Sequence, residues 1–165
     1  MSFHTILVPV DGESPSDAAV WYALSMAEEE QASLIFCHAQ VPVPGYLLDE
    51  PLPAGMKIDS QEAVAWWSRH VLDRARGRAA QLGFDAQVRS LRGDPVAGIL
   101  ETARAEGADL IVMGTHGRHG PARALLGSTT EGVLRRSNLP VLVLPCATPE
   151  CLSRHVDARD PGALA

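Results

Sequence analysis

Short apolar runs alternate with longer helical segments along the whole chain, and this alternation restricts the folds that the sequence can adopt. Right-handed crossovers between such runs produce a parallel sheet with helices on both faces. The sequence therefore predicts a single-domain α/β protein with five parallel strands and no internal domain boundary. The strand-like runs cover residues 5–10, 33–39, 84–91, 109–113 and 140–145, and the helical segments cover 14–30, 60–82, 96–106 and 128–137.

Capping signals place the starts of three helices. Ser14-Pro15 and Asp94-Pro95 each combine a favoured N-cap residue with a proline at the first helical position. Asp17 lies where a carboxylate can reach back to the helix start, as in a capping box. Ser128 is predicted to cap the last helix. The period-two alternation of residues 84–91 indicates a strand with one wet face, at a sheet edge.

Several side chains of the second strand and the second helix are interpreted as structural rather than ligand-binding. The adjacent Trp66 and Trp67 are interpreted as core packing or an oligomer contact, and Cys37 as a small buried hydrophobe. Four arginines of the second helix are interpreted as a solvated face. They are Arg69, Arg74, Arg76 and Arg78.

Composition excludes several classes of protein. The chain has 165 residues, 46% of them hydrophobic, which excludes general disorder. Its formal net charge of −6 argues against a protein that mainly holds nucleic acid. The three cysteines favour a reducing compartment over a disulfide framework. No apolar run approaches the ~20 residues that span a bilayer. A cytoplasmic protein without a membrane segment is therefore expected.

The glycine-punctuated stretch at residues 114–127 carries the strongest functional signal. It follows a buried strand and ends at a helix start, where unpaired N–H groups and the helix dipole favour an anion. Ser128 and Thr129 add hydroxyl donors there, and Arg118 and His119 add polar side chains. The pattern predicts a phosphate site, although glycines after a strand can also serve tight turns alone.

Two common phosphate-binding motifs are absent from the sequence. A Walker A loop needs a lysine after its second glycine, and Lys57 is the single lysine of the chain. A dinucleotide fingerprint needs Gly-x-Gly-x-x-Gly directly after the first strand, where this chain has Asp11-Gly12-Glu13-Ser14.

The spacing Gly114-x2-Gly117-x9-Gly127-Ser128 resembles the nucleotide-binding signature of the universal stress protein family, in its ATP-binding branch. Residues 9–12 (PVDG), 113–116 (MGTH) and 140–143 (PVLV) are also similar to that family. The resemblance implies a Rossmann-like sheet of order 3-2-1-4-5, related to the adenine nucleotide alpha hydrolases. It further implies a nucleotide-binding domain over residues 1–145, followed by a C-terminal tail at 146–165.

The resemblance also implies a ligand and its site. ATP would lie across the ends of the first and fourth strands, with Mg²⁺ or Mn²⁺ held mainly through its phosphates. Asp11 would contact ribose or adenine, the Val41 backbone would bind adenine, and Gly114 would close the turn. Gly117, Gly127, Ser128 and Thr129 would hold the phosphates. The remaining residues expected to line the site are Pro9, Val10, Met113, Thr115, His116, Arg118 and His119.

Family members commonly dimerise through the last strand, which implies a homodimer through Val141–Leu144 here. They act as stress-survival or regulatory proteins, in some cases with a regulatory protein partner, and hydrolyse ATP slowly or not at all. Two alternatives stay open. The first is a slow ATP hydrolase with His116 or His119 as general base. The second is an interaction module of the same fold that binds no nucleotide. ATP, ADP, AMP and cyclic nucleotides are not distinguished.

Overall fold

The computed structural model describes residues 2–42, 52–115 and 127–144, except for the side chains of residues 14 and 15. Strands and helices alternate strictly along this part of the chain, as the sequence predicts. In chain order the elements are β1 (Thr5–Pro9), α1 (Ser14–Glu30), β2 (Ser33–Ala39), α2 (Gln61–Gln81), β3 (Gln87–Leu91), α3 (Pro95–Ala105), β4 (Leu110–Gly114), α4 (Ser128–Arg136) and β5 (Val141–Leu144).

The five strands form one parallel sheet of order β3-β2-β1-β4-β5, which confirms the predicted fold class. β3 lies at one edge, as its alternating pattern indicates, but it begins at Gln87 rather than at residue 84. β1 is central and pairs with β2 on one side and β4 on the other. The chain therefore leaves β1 toward one half of the sheet and later returns to the other half.

Successive residues of the central strands enter two separate cores, because side chains alternate between the faces of a sheet. Ile6 and Val8 pack under α1 and α2 together with Phe36. Leu7 packs on the opposite face under α3 and α4, together with Ile111. All five side chains are buried, which accounts for the unbroken apolar runs of these strands.

Two of the predicted helix starts differ from the structure by one residue. The N-cap of α1 is Glu13 rather than Ser14, because the Glu13 carbonyl already accepts from the Asp17 N–H at 3.2 Å. The N-cap of α4 is Gly127 rather than Ser128, since the Gly127 carbonyl already accepts from the Glu131 N–H at 2.8 Å. The third cap is confirmed: Asp94 accepts from the Ala97 N–H at 2.8 Å.

Two predictions about α1 and α2 need correction: the solvated face holds for only two of the four arginines, and the Asp17 carboxylate does not form a capping box. The Asp17 carboxylate does not cap α1, because the Glu13 N–H donates to the Asp11 carboxylate instead, at 2.8 Å. Asp17 accepts from Arg74 at 3.3 Å and from both terminal nitrogens of Arg78, with the longer of the Arg78 contacts at 3.1 Å. Arg78 also lies over the Trp21 ring, 5.9 Å from its centroid. These contacts join α1 to α2, so Arg74 and Arg78 are structural, whereas Arg69 and Arg76 are exposed.

Candidate functional site

A cleft of about 350 Å³ opens where the carboxyl ends of β1, β2 and β4 meet the start of α4. This is the point at which the chain direction across the sheet reverses, the usual ligand position in open α/β sheets. The predicted site residues that the structure describes all line it: Pro9, Val10, Asp11, Val41, Met113, Gly114, Thr115, Gly127, Ser128 and Thr129. His116, Gly117, Arg118 and His119 lie outside the described residues.

A tight turn after β1 presents Asp11 to the cleft. The Asp11 carboxylate accepts from the Glu13 N–H at 2.8 Å, and the Asp11 N–H donates to the Ser16 hydroxyl at 3.3 Å. Gly12 has φ +87°, and a Cβ there would lie 3.0 Å from atoms of the Trp67 and Val71 side chains. The turn therefore needs glycine at residue 12, and it holds Asp11 exposed at the cleft.

On the opposite side, the end of β4 and the first turn of α4 are fixed to each other. Thr130 donates from its hydroxyl to the Gly114 carbonyl at 3.0 Å, and the Thr115 N–H donates to the Leu144 carbonyl at 2.8 Å. Gly127 has no side chain with which to cap α4. The first turn of α4 therefore lines the cleft with Ser128 and Thr129, and the start of a helix carries unpaired N–H groups and the positive end of the helix dipole.

His38 lies in the cleft at the end of a predicted strand, but it was not among the residues predicted to bind the ligand. It is the penultimate residue of β2 and is only 2% exposed, and its Nδ1 has no hydrogen-bond partner among the described residues. Burial lowers the pKa of His38 to about 4, against the opposing effect of the Asp11 carboxylate. The ring is therefore neutral near pH 7. Its place at the carboxyl end of a strand beside β1 was the signal in the sequence.

Apolar side chains form the floor of the cleft, and several were not predicted to line it. Cys37 is buried, as interpreted from the sequence, and burial raises the pKa of its thiol, so the thiol stays protonated. Trp67 is also buried, which confirms its interpretation as core packing, and its ring stacks on His70. Ile99 and Pro95 of α3 close the far side.

Val41 lies at the mouth of the cleft, with more than a third of its surface exposed. The preceding residue holds the chain in place, because the Gln40 N–H donates to the Leu91 carbonyl at 2.8 Å. The Gln40 side-chain amide also donates to the Ser90 hydroxyl at 2.8 Å. The backbone that enters residue 41 is thus fixed against β3.

Within the ranges 2–42, 52–115 and 127–144, no three His, Cys, Asp or Glu side chains come together as metal ligands. In the same ranges, no helix combines the length and the apolar character needed to cross a bilayer.

Comparison with known proteins identifies the family. The sequence profile described as "Universal stress protein family" matches residues 2–145. The chain belongs to the universal stress protein family. Universal stress protein YxiE of Bacillus subtilis is 30% identical over 155 residues, which cover 86% of this chain and 99% of YxiE. A universal stress protein of Thermus aquaticus is 35% identical over 147 residues, covering 86% of this chain and 98% of the relative.

A solved universal stress protein has the same architecture. That protein was crystallised in complex with cAMP and is 30% identical to this chain. The two superpose with a TM-score of 0.65 over 89% of this chain and all of the other. This universal stress protein therefore shares both sequence and fold with a nucleotide-bound member of its family.

Proposed function

We propose that this universal stress protein binds an adenine nucleotide, ATP in the first place, across the ends of β1 and β4. The observation that carries the proposal is the start of α4, which lines a cleft of ligand size and has no side-chain cap. Such a helix start attracts an anion through both its free donors and its dipole. The phosphates would lie there, on Gly127, Ser128 and Thr129.

The other end of the cleft suits the nucleoside. Asp11 presents a carboxylate, which repels a phosphate but accepts hydrogen bonds from ribose hydroxyls. Val41 offers backbone groups at the mouth, where an adenine edge can bond. The cleft volume of about 350 Å³ lies within the range of small-molecule sites, and the 30% identical relative binds cAMP.

The metal that accompanies ATP would be held through its phosphates. Two of the described cleft residues carry a carboxylate: Asp11 in the turn after β1, and Glu13, the N-cap of α1. They form no group of three ligands with another described side chain. Mg²⁺ commonly keeps several waters and binds through substrate phosphates and one or two carboxylates, so this donor set fits it.

Titration calorimetry with ATP and Mg²⁺ tests the proposal. Ser128→Glu places a carboxylate at the proposed phosphate position but leaves α4 stable, because an acidic residue is favourable in the first helical turn. Ser25→Glu adds the same charge on the exposed face of α1, away from the cleft. We expect binding near one per chain for the unmodified protein and Ser25→Glu, and at least tenfold weaker binding for Ser128→Glu. Equal affinity in all three proteins would refute the phosphate position.

We further propose that the protein is a cytoplasmic regulatory or stress-survival protein rather than an efficient enzyme. Nucleotide binding would change the surface offered to a partner protein, because a ligand that prefers one conformation shifts the population toward it. β5 is an edge strand of the sheet, which supports a homodimer through Val141–Leu144. Limited proteolysis with and without ATP tests the surface change. We expect slower cleavage with ATP, and identical patterns would contradict it.

The two alternative functions, a slow ATP hydrolase and an interaction module without a ligand, can each be tested directly. A slow hydrolase would release phosphate from ATP at a steady rate that tracks the enzyme concentration. An interaction module without a ligand would give no heat with ATP in the calorimetric titration. In that case the glycines of residues 114–127 would serve only to form tight turns.

A further inference from the structure

The order of the strands places three different chemistries in a row along the cleft. β4, β1 and β2 are neighbours in the sheet, and each contributes the residues at its carboxyl end. Beside β4 lies the start of α4, after β1 lies Asp11, and at the end of β2 lies His38. Neighbouring strands are about 4.8 Å apart, so the row spans roughly 10 Å. Phosphate, ribose and base follow one another over a comparable length in a nucleotide.

His38 is the polar group at the end of this row, and one of its two ring nitrogens, Nδ1, is unsatisfied in the described protein. Its side chain is 2% exposed, and Nδ1 has no hydrogen-bond partner. A buried polar atom without a partner costs about 1–3 kcal/mol, so such atoms are rare unless a ligand or water completes them. Ser90 pairs with His38 across the sheet, and its hydroxyl already bonds the Ser68 hydroxyl at 2.7 Å.

The charge state of the ring decides which part of a ligand it can meet. Because burial keeps His38 neutral at pH 7, it offers one donor and one acceptor and no positive charge for a phosphate. Asp11 adds negative charge on the same side. A purine edge is neutral and carries both donors and acceptors. It therefore matches this end of the cleft, whereas an anion matches the α4 end.

We infer that His38 is a specificity-determining residue of the cleft, which hydrogen-bonds the base of the bound nucleotide directly or through one ordered water. The inference rests on the proposed nucleotide function. It adds the claim that base recognition depends on a side chain of β2, beyond the backbone at Val41. It also predicts that ligands that lack a base engage only the β1 and α4 parts of the site.

Nitrogen NMR on the unmodified protein tests the inference without a variant. The ring nitrogens of His38 are followed while AMP is added, and then in a separate sample while ribose 5-phosphate is added. We expect AMP to shift the His38 ring signals, and ribose 5-phosphate to shift the Ser128 and Thr129 amide signals but not the His38 ring. If AMP binds but leaves His38 unchanged, this inference fails while the proposed function stands. If neither ligand shifts any cleft signal, both fail.

Two variants separate recognition from structure. His38→Leu removes the polar ring at similar volume, and His38→Asn keeps a polar atom near the Nδ1 position. We expect His38→Leu to bind AMP about tenfold more weakly with an unchanged or higher Tm, because it removes an unsatisfied buried nitrogen. His38→Asn should keep most of the affinity. A lower Tm with unchanged AMP affinity in His38→Leu would show that the residue is structural and would overturn the inference.

Discussion

Thr130 and Gly114 are separated by 16 residues, and the Thr130 hydroxyl donates to the Gly114 carbonyl at 3.0 Å. Gly114 is the last residue of β4, and Thr130 lies in the first turn of α4. The bond joins the two ends of the glycine-rich stretch below the cleft. Because Thr130 is buried, this contact fixes the position of the first turn of α4 relative to the sheet.

Removal of this bond should weaken both the fold and the proposed site. Thr130→Val keeps the shape but leaves a partly buried carbonyl without that donor, so we expect a loss of about 1–2 kcal/mol in the free energy of unfolding. Nucleotide affinity should fall as well, since the start of α4 loses its tether. Thr130→Ser retains the hydroxyl and serves as the control. Denaturant unfolding and calorimetry measure the two effects, and equal behaviour of both variants would contradict this role.

A close approach between α3 and α4 depends on Gly132. A Cβ at Gly132 would lie 2.7 Å from a methyl of Val96, whose branched side chain has few alternative rotamers. We expect Gly132→Ala to lower the free energy of unfolding by about 1–3 kcal/mol through overpacking. The matched control is Gly77→Ala in α2, where nothing lies within 4 Å of the new Cβ. That variant should be slightly stabilising, because alanine favours helix more than glycine does. Equal unfolding midpoints for the two variants would contradict the packing account.

The contact between α1 and α2 depends on Asp17. Its carboxylate accepts from Arg74 and Arg78, and all three side chains are largely buried. Asp17→Ala should therefore cost about 1–2 kcal/mol, since it leaves two neighbouring guanidinium groups without this acceptor. Asp73→Ala removes the exposed carboxylate that pairs with Arg76 and should have no measurable effect. Thermal unfolding of both variants checks the difference, and an equal loss in the two would show that burial does not decide the strength of these pairs.

Stability should fall with acidity because of His38. Its pKa is lowered to about 4 in the folded protein from an ordinary value of 6.5, so the unfolded chain binds more protons between these values. The free energy of unfolding therefore decreases as pH falls from 6.5 to 4, by about 2 kcal/mol between pH 7 and pH 5. His38→Asn removes the titrating group. The free energy of unfolding, measured by denaturant at several pH values in this range, should depend less on pH in His38→Asn than in the unmodified protein. The same pH dependence in both proteins would contradict the burial of a neutral ring.

The fold was predictable because its signals are local and repeated. Unbroken apolar runs such as residues 109–113 indicate strands covered on both faces, and helix-start signals such as Asp94-Pro95 divide the helices from the strands. The strand order came from the resemblance to universal stress proteins, since crossover handedness alone does not fix it. The site residues were proposed from the same resemblance, and those that the structure describes line one cleft.

The differences arise where a distant residue decides a local arrangement. Asp17 resembles a capping residue in the sequence, but two arginines some sixty positions later bind it instead. Ser14 and Ser128 were predicted as N-caps, but the N-caps are Glu13 and Gly127, because backbone hydrogen bonds begin those helices one residue earlier. The sequence placed His38 at the ligand end of a strand but gave it no role, since its missing hydrogen-bond partner depends on the three-dimensional packing of β2, β3 and α2.

The central claim is that an adenine nucleotide lies across β1 and β4 with its phosphates at the start of α4. Amide chemical-shift mapping with ATP and Mg²⁺ tests it most directly, because it reports both binding and place. We expect saturable shifts that are largest at Asp11, Thr115, Ser128 and Thr129. The absence of shifts, or shifts confined to a separate surface such as the pocket around Arg104 and Asn138, would contradict the claim.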